Sequence, residues 1–266
     1  MKYLLILLAL MPLAMGGGEP RDEVRALIEA NDRSISSQIV DFIESKKQQM
    51  PCGFPGLGIP PLAPLKASHK DIHINAGSIQ AHGEVNNFRM DGLDDFDIVQ
   101  FKLSTLISKL TFEFNWNHVY LNTDYVMATS LDNFKVTRSG LAKFALKNLR
   151  VWGDAKYAMG IFGGTLKLKT FNMYMSVGEV KSEIGGLSKY GIINKKLNEV
   201  VEEWVYLAIN DNTDNMSDLT NGYLVPLVNN LIGDMTLSDL LGLIGGGGGG
   251  GGDEGEKEVC VPPTDA

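Results

Sequence analysis

Apolar side chains along this chain follow two rhythms, and the change between them is abrupt. From Asp22 to Gln48 they recur at Val24, Leu27, Ile28, Ile35, Ile39, Val40 and Ile43, close to a helical period, with Pro20 at the start and a break expected near Asn31. The apolar stripe of such a helix needs a partner surface. From Asp71 to Val177 the period becomes two: Leu110, Phe112, Phe114 and Trp116 point one way, and Thr111, Glu113, Asn115 and Asn117 the other. Ile72 and Ile74, Phe144 and Leu146, and Phe171, Met173, Met175 and Val177 repeat this alternation, so a sheet buried on one face is expected. The inward set jumps by three residues between Ile98 and Phe101 and again between Leu146 and Leu149. Each jump predicts a β-bulge that bends its strand, and hence a strongly curved sheet.

Between the two rhythms lies PGLGIPPLAPL, Pro55 to Leu65, whose four prolines remove backbone donors and exclude both helix and central strand. Leu57, Ile59, Leu62 and Leu65 give this hinge an apolar side that anchors it to the body. Turn signals at Asn75 to Ser78, Asp91 to Asp95, Asn122 to Asp124, Arg138 to Gly140, Trp152 to Asp154 and Gly163 to Gly164 separate long antiparallel strands. A long helix follows, marked by Ile192, Ile193, Leu197, Val200, Val201, Trp204, Val205, Ala208 and Ile209, with Ser188 or Asn194 as its cap. Two shorter apolar helical stretches cover Leu219 to Ile232, broken or kinked by Pro226, and Leu237 to Ile244. The expected fold is α+β: a long, strongly curved antiparallel sheet wrapped around a long C-terminal helix and preceded by an N-terminal helix.

Residues 1–16 read as a secretory signal peptide, with Lys2, an apolar run from Tyr3 to Leu13, and small residues Ala14 and Gly16 at the cleavage positions. That run is too short to span a bilayer, and no later stretch is long enough. Residues 19–244 then form one domain, and 245–266 a disordered, glycine-rich acidic tail. With 24 basic and 32 acidic side chains the chain carries a net charge of −8, which argues against a nucleic-acid partner. In an oxidising compartment Cys52 and Cys260 are a candidate disulfide, and the polyglycine run from Gly245 to Gly252 supplies reach. The sequon at Asn215 falls in a polar connection, the place for a glycan on an extracellular protein.

Catalytic constellations are thin. His69 and His73 have the spacing of a metal pair only in a helix, and His73 falls in a strand, so no metal is expected. His82 and His118 are isolated. Gly185 to Tyr190 resembles a nucleophile elbow without its second glycine, which leaves Ser188 as a capping residue and the chain without a nucleophile. No cofactor motif is present. What remains is an excess of large apolar side chains on the inner faces of helix and sheet. They either pack against one another as an ordinary core or line an elongated cavity for a lipid-like guest. The candidate lining, from the inward phase, is Phe112, Phe114, Trp116, Phe144, Leu146, Val201, Trp204 and Val205.

Four segments carry a family resemblance. GIPPLAPLK (Gly58 to Lys66), NFRMDGL (Asn87 to Leu93) followed by Phe96, GLAKFALKNLRV (Gly140 to Val151), and Lys196 to Glu199 through Trp204 occur in an order similar to the insect takeout and haemolymph juvenile-hormone-binding proteins. Gly185 to Ser188 also resembles the group 7 mite-allergen proteins, the close alternative. The usual N-terminal cysteine pair of the takeout group is missing here. The resemblance implies a secreted, non-enzymatic carrier of a small hydrophobic ligand, terpenoid or fatty-acyl, in a sheet-wrapped fold shared with lipid-transfer proteins. The alternative it leaves open is an innate-immune or surface protein that binds microbial lipid or lipopeptide.

Overall fold

The structure is a computed structural model that describes residues 20–54, 59–76, 79–131, 134–159, 164–211, 260 and, within 221–244, all but 223, 227 and 231. The predicted signal peptide, the Asn215 sequon and the tail other than Cys260 lie outside the described residues. The fold is α+β. Helix α1 (Pro20–Lys47) is followed by seven strands, β1 (Leu65–Ala76), β2 (Ile79–Asp91), β3 (Phe96–Ser104), β4 (Lys109–Leu131), β5 (Phe134–Met159), β6 (Leu166–Ser176) and β7 (Glu179–Ile184), and then by α2 (Gly191–Asp211) and α3 (Leu237–Ile244).

One curved antiparallel sheet runs in the order β1-β2-β4-β5-β6, with β3 on β4 and β7 on β5. Its spine is the β4–β5 hairpin, paired from Lys109↔Lys156 to Leu131↔Phe134. Each side of this spine is served by two shorter strands in succession. On β4, β2 ends at Asp91↔Tyr120 and β3 begins at Phe96↔Trp116; on β5, β7 ends at Lys147↔Glu179 and β6 takes over at Arg150↔Ser176. Both changeovers fall beside Asn117 and Asn148.

The expected bulge between Ile98 and Phe101 is present as a register shift between Ile98 and Gln100. The slip between Leu146 and Leu149 differs in kind. Trp116 pairs with Leu149 and Val119 with Leu146, so β4 and β5 each carry one extra residue at the same level and their register is unbroken. Asn148 absorbs the bend with φ of 51°, a left-handed conformation that asparagine tolerates better than most residues. Two further shifts, at Asn86/Arg89 in β2 and Lys156/Tyr157 in β5, gave no sign in the apolar pattern.

Helix α1 continues through Asn31 without the expected break, because its polar residues there hold the edge of β3. Asp32 accepts the Thr105 N–H and hydroxyl at 2.9 and 2.7 Å, and the Ser36 hydroxyl oxygen accepts the Leu103 N–H at 2.9 Å. Both side chains are buried, at 5 and 8% exposure, and the backbone donors of an edge strand are what they satisfy. The opposite border is closed the same way. Asn198 accepts the Ile184 N–H at 2.7 Å and donates to the Ile184 carbonyl at 3.1 Å, Glu202 accepts the Ser182 N–H at 2.8 Å, and Asn210 takes both backbone groups of Val177. Farther on, Asn229 bonds the N–H and carbonyl of Leu168 at 2.8 and 2.9 Å. A primary amide presents one donor and one acceptor side by side, so each asparagine substitutes for a residue of the missing neighbour strand.

Three clusters fill the apolar face. Ile35 of α1 packs on Leu103, Tyr157 and Leu166, with Leu240 and Leu241 of α3 against them; Val119, Leu149, Val177 and Val180 occupy the middle, with Val205 and Ile209 of α2 against them; Tyr125, Ala142 and Ile184 lie at the far end beneath Val201. The hinge is tied down by backbone bonds: Phe54 and Ile59 form a β-bridge, and Leu62 donates its N–H to the Met50 carbonyl at 2.8 Å, while Leu57 of its expected apolar side lies outside the described residues. Cys52 beside it is joined to Cys260, with Cα atoms 5.8 Å apart.

Candidate functional site

Five aromatic rings share the inner face between α1 and α2. Phe112, Phe114 and Trp116 alternate along β4, so the pleat sets them on one side, and β3 and β6 each add a ring from the flank. Phe96 lies 5.5 Å from both Phe114 and Trp116, and Phe112 lies 5.8 Å from Phe114 and stacks on Phe171 at 5.3 Å. The stacked pair fits because Gly153 faces Phe112 across the hairpin. A Cβ there would come within 2.0 Å of the Asn172 carbonyl and 3.0 Å of the Phe112 ring.

Polar groups fix the two ends of this row. The Trp116 indole N–H donates to the Leu93 carbonyl at 3.1 Å, which satisfies the only polar atom of the ring. At the α1 end the Lys47 ammonium stands 4.2 Å above the Phe96 ring centre and donates to the Phe96 carbonyl. Phe112 is 5% exposed, whereas Phe96, Phe114, Trp116 and Phe171 are only half-buried. The result is an apolar row of rings with an ion pair, Lys47 and Glu44 at 2.7 Å, at its α1 end.

Of the eight side chains singled out in the sequence, Phe112, Phe114 and Trp116 belong to this row. Phe144, Leu146 and Val205 pack beside it around Val119 and Val180, and Val201 sits with Phe144 above Tyr125 and Ala142. Trp204 is elsewhere: it is 55% exposed, on the flank of α2 that faces away from the sheet. The cause is the amide ladder, which turns Asn194, Asn198, Val201, Glu202 and Val205 inward and carries Trp204 outward. Phe96 and Phe171 complete the row and were not among those eight. Phe171 sits in the inward phase of its strand, so that alternation was the available signal, whereas the bulge after Ile98 hides the phase of Phe96.

Concavities on other surfaces have different chemistry. One of about 660 Å³ opens among Asp91, Tyr120, Asn122, Lys143, Phe144, Lys181 and Glu183, where charged groups stand around an apolar wall. A smaller one of about 270 Å³ runs past Trp116 between Asn115, Asn148 and Arg150. Ser188, the failed nucleophile, accepts the Tyr190 N–H at 3.2 Å at the entry to α2, and Asn194 accepts the Ser188 N–H at 3.0 Å. His69 meets Asn86 at 2.8 Å, Asp71 at 3.4 Å and Glu84 at 3.7 Å on the exposed face of the β1–β2 hairpin. The Asn86 contact first, then the two carboxylates, raises the His69 imidazole above its ordinary value.

The sequence profile of the haemolymph juvenile hormone binding proteins matches residues 6–242. The chain belongs to that family. No curated protein sequence matches it. Among solved structures, Takeout 1 of Epiphyas postvittana is 13% identical, with a TM-score of 0.46 over 73% of this chain and 84% of that one. A lipopolysaccharide binding protein is 8% identical with a TM-score of 0.32, and the match covers 76% of this chain and 38% of that protein. Membership rests on the profile, which covers both helices flanking the aromatic row as well as the sheet beneath it.

Proposed function

We propose that this protein is a secreted, non-enzymatic carrier that holds one small hydrophobic molecule, terpenoid or fatty-acyl, against the aromatic row on its inner face. The family supports the ligand class, and the observation that carries the reading is the cluster of large rings left half-buried beside a well-packed core. Four of the five would gain from a cover of apolar chemistry. A fifteen-carbon guest burying roughly 300 Å² of apolar surface gains about 7 kcal/mol, before association costs, at about 25 cal/mol per Å². The Lys47 ammonium beside Phe96 is already paired with Glu44 at 2.7 Å, so the apolar rings carry the affinity. Among the described residues no helix is long and apolar enough to cross a membrane, which fits a carrier that releases its cargo in water.

Organic extraction of the protein purified from its native source, followed by mass spectrometry, tests the cargo directly. A stoichiometric terpenoid or acyl chain, displaceable by a fluorescent fatty acid in saturable one-to-one fashion, is the expected result. Binding only to aggregated lipopolysaccharide would assign the protein to microbial-lipid recognition instead, and repeated absence of any extractable or exchangeable lipid would leave the rings as core.

A further inference from the structure

Helix α2 has two apolar faces and the sheet uses one. Asn194, Asn198, Val201, Glu202, Val205 and Ile209 face inward. Ile193, Leu197, Val200, Trp204 and Leu207 form a second stripe that is 49, 38, 61, 55 and 44% exposed. Their spacing of four, three, four and three is the seam of a two-helix coil, and a contiguous exposed stripe of large residues marks an interaction surface. The tail is poorly suited by composition to cover it: the run between Ile244 and Cys260 is glycine and charged residues with a single large apolar side chain, Val259, and Cys260 is tied to Cys52 at the hinge.

We infer that this stripe is a self-complementary interface on which a second copy of the chain docks antiparallel, helix α2 against helix α2. Charge selects both partner and register. Lys196 and Glu203 occupy equivalent positions one heptad apart, on the border of the stripe that is turned away from the sheet. In the antiparallel register that sets Leu197 against the partner's Val200 and Ile193 against the partner's Trp204, Lys196 of each copy meets the partner's Glu203. The two-fold axis supplies that contact twice. A slip of one heptad one way keeps as many apolar layers, Leu197 against the partner's Leu207 and Val200 against the partner's Trp204, but brings Glu203 against the partner's Glu203; a slip the other way brings Lys196 against the partner's Lys196 and loses half of the layers. A parallel pair would leave both charges opposite Val201 and Ala208. An anionic lipid surface gains little, because Glu199 and Glu203 offset the lysines of this helix.

The stripe from Ile193 to Leu207 is about 22 Å long, so the contact falls below the roughly 1,600 Å² of a standard interface and a concentration-dependent, micromolar dimer is expected. Sedimentation equilibrium of the full mature chain reads it. The mass should rise from one chain towards two with concentration, and V200E, K196E and E203K should each remain single, with unchanged circular dichroism showing that they fold. The double exchange K196E/E203K should dimerise again. Mixing the K196E and E203K chains should also give dimers, because both contacts then pair opposite charges. A mass of one chain at every concentration, or a double exchange that behaves like the single ones, overturns the proposal. A Trp204 emission shift on anionic vesicles without dimerisation would reassign the stripe to a membrane surface and equally overturn it.

Discussion

Replacing Asn198 by alanine removes the centre of the amide ladder that joins α2 to the sheet border. The side chain is 8% exposed and makes four hydrogen bonds: it accepts from the Ile184 N–H and the Ser182 hydroxyl, and it donates to the carbonyls of Ile184 and Asn194. The losses are unequal. Asn194 still donates to the Ile184 carbonyl at 2.8 Å, and Glu202 still accepts from the Ser182 hydroxyl at 3.3 Å. The Ile184 N–H loses the acceptor it has, in a residue that is 7% exposed. Leaving one buried donor unmet costs about 1–3 kcal/mol, and the remaining bonds add about 1 kcal/mol, so N198A should lose about 2–4 kcal/mol. N198D separates acceptor from donor. It keeps an acceptor for Ile184 but turns a carboxylate toward two carbonyls, so its folded pKa lies above the unfolded value of about 3.9. Its stability is therefore complete in acid and is lost as pH rises through the folded pKa. Guanidinium denaturation gives the free energies, and hydrogen exchange at the Ile184 amide reports the donor itself. An N198A loss under about 0.5 kcal/mol, or an N198D chain as stable as the parent at neutral pH, would show that the ladder is incidental.

Other outcomes follow from the same contacts. Reducing the Cys52–Cys260 bond, which spans 208 residues of sequence, should lower the unfolding free energy by up to about 5 kcal/mol on the chain-entropy relation, seen as a lower denaturation midpoint with reductant present. Ready alkylation of Cys260 without reduction would contradict the bond. Burial, then the Asp32 carboxylate, pushes the Tyr157 hydroxyl up to about 12 from 10.0, so the folded chain holds a proton that the unfolded chain releases, and stability should fall between those pH values. Y157F should flatten that decline; an unchanged alkaline profile would refute it. F114A should weaken acyl-probe binding by about 1–2 kcal/mol, or about 5- to 30-fold, while T111A on the outer face leaves it unchanged. Equal affinities for all three proteins would place the guest elsewhere.

The sheet's face was legible in the sequence because Phe112, Phe114 and Trp116 declare it by alternation, but its strand ends were not: the turns expected at Asn122 to Asp124, Arg138 to Gly140 and Trp152 to Asp154 lie inside β4 and β5. The bend beside Leu146 and Leu149 was also legible, from β5. Its counterpart between Trp116 and Val119 was obscured by the run Asn117-His118, and only the pair of slips preserves register. Helix α2 was found by its period, but its orientation was not, since apolar residues lie on both flanks. The decisive signal there is polar: Asn194, Asn198 and Glu202, at intervals of four, mark the face toward the strand edge. Asp32 and Ser36 play that part in α1. Polar side chains at helical spacing read as solvent-facing unless an unpaired strand edge awaits them, and the edge is a product of tertiary structure.

A chain keeping Trp116 as its only indole, through W152F and W204F, provides the most direct test of cargo binding on the inner face. Titration with a fatty-acyl or terpenoid probe should shift the Trp116 emission to saturation at one equivalent, and unlabelled lipid should reverse it. Saturable binding that leaves Trp116 emission untouched, or no saturable binding at all, would contradict a guest lying on the aromatic row.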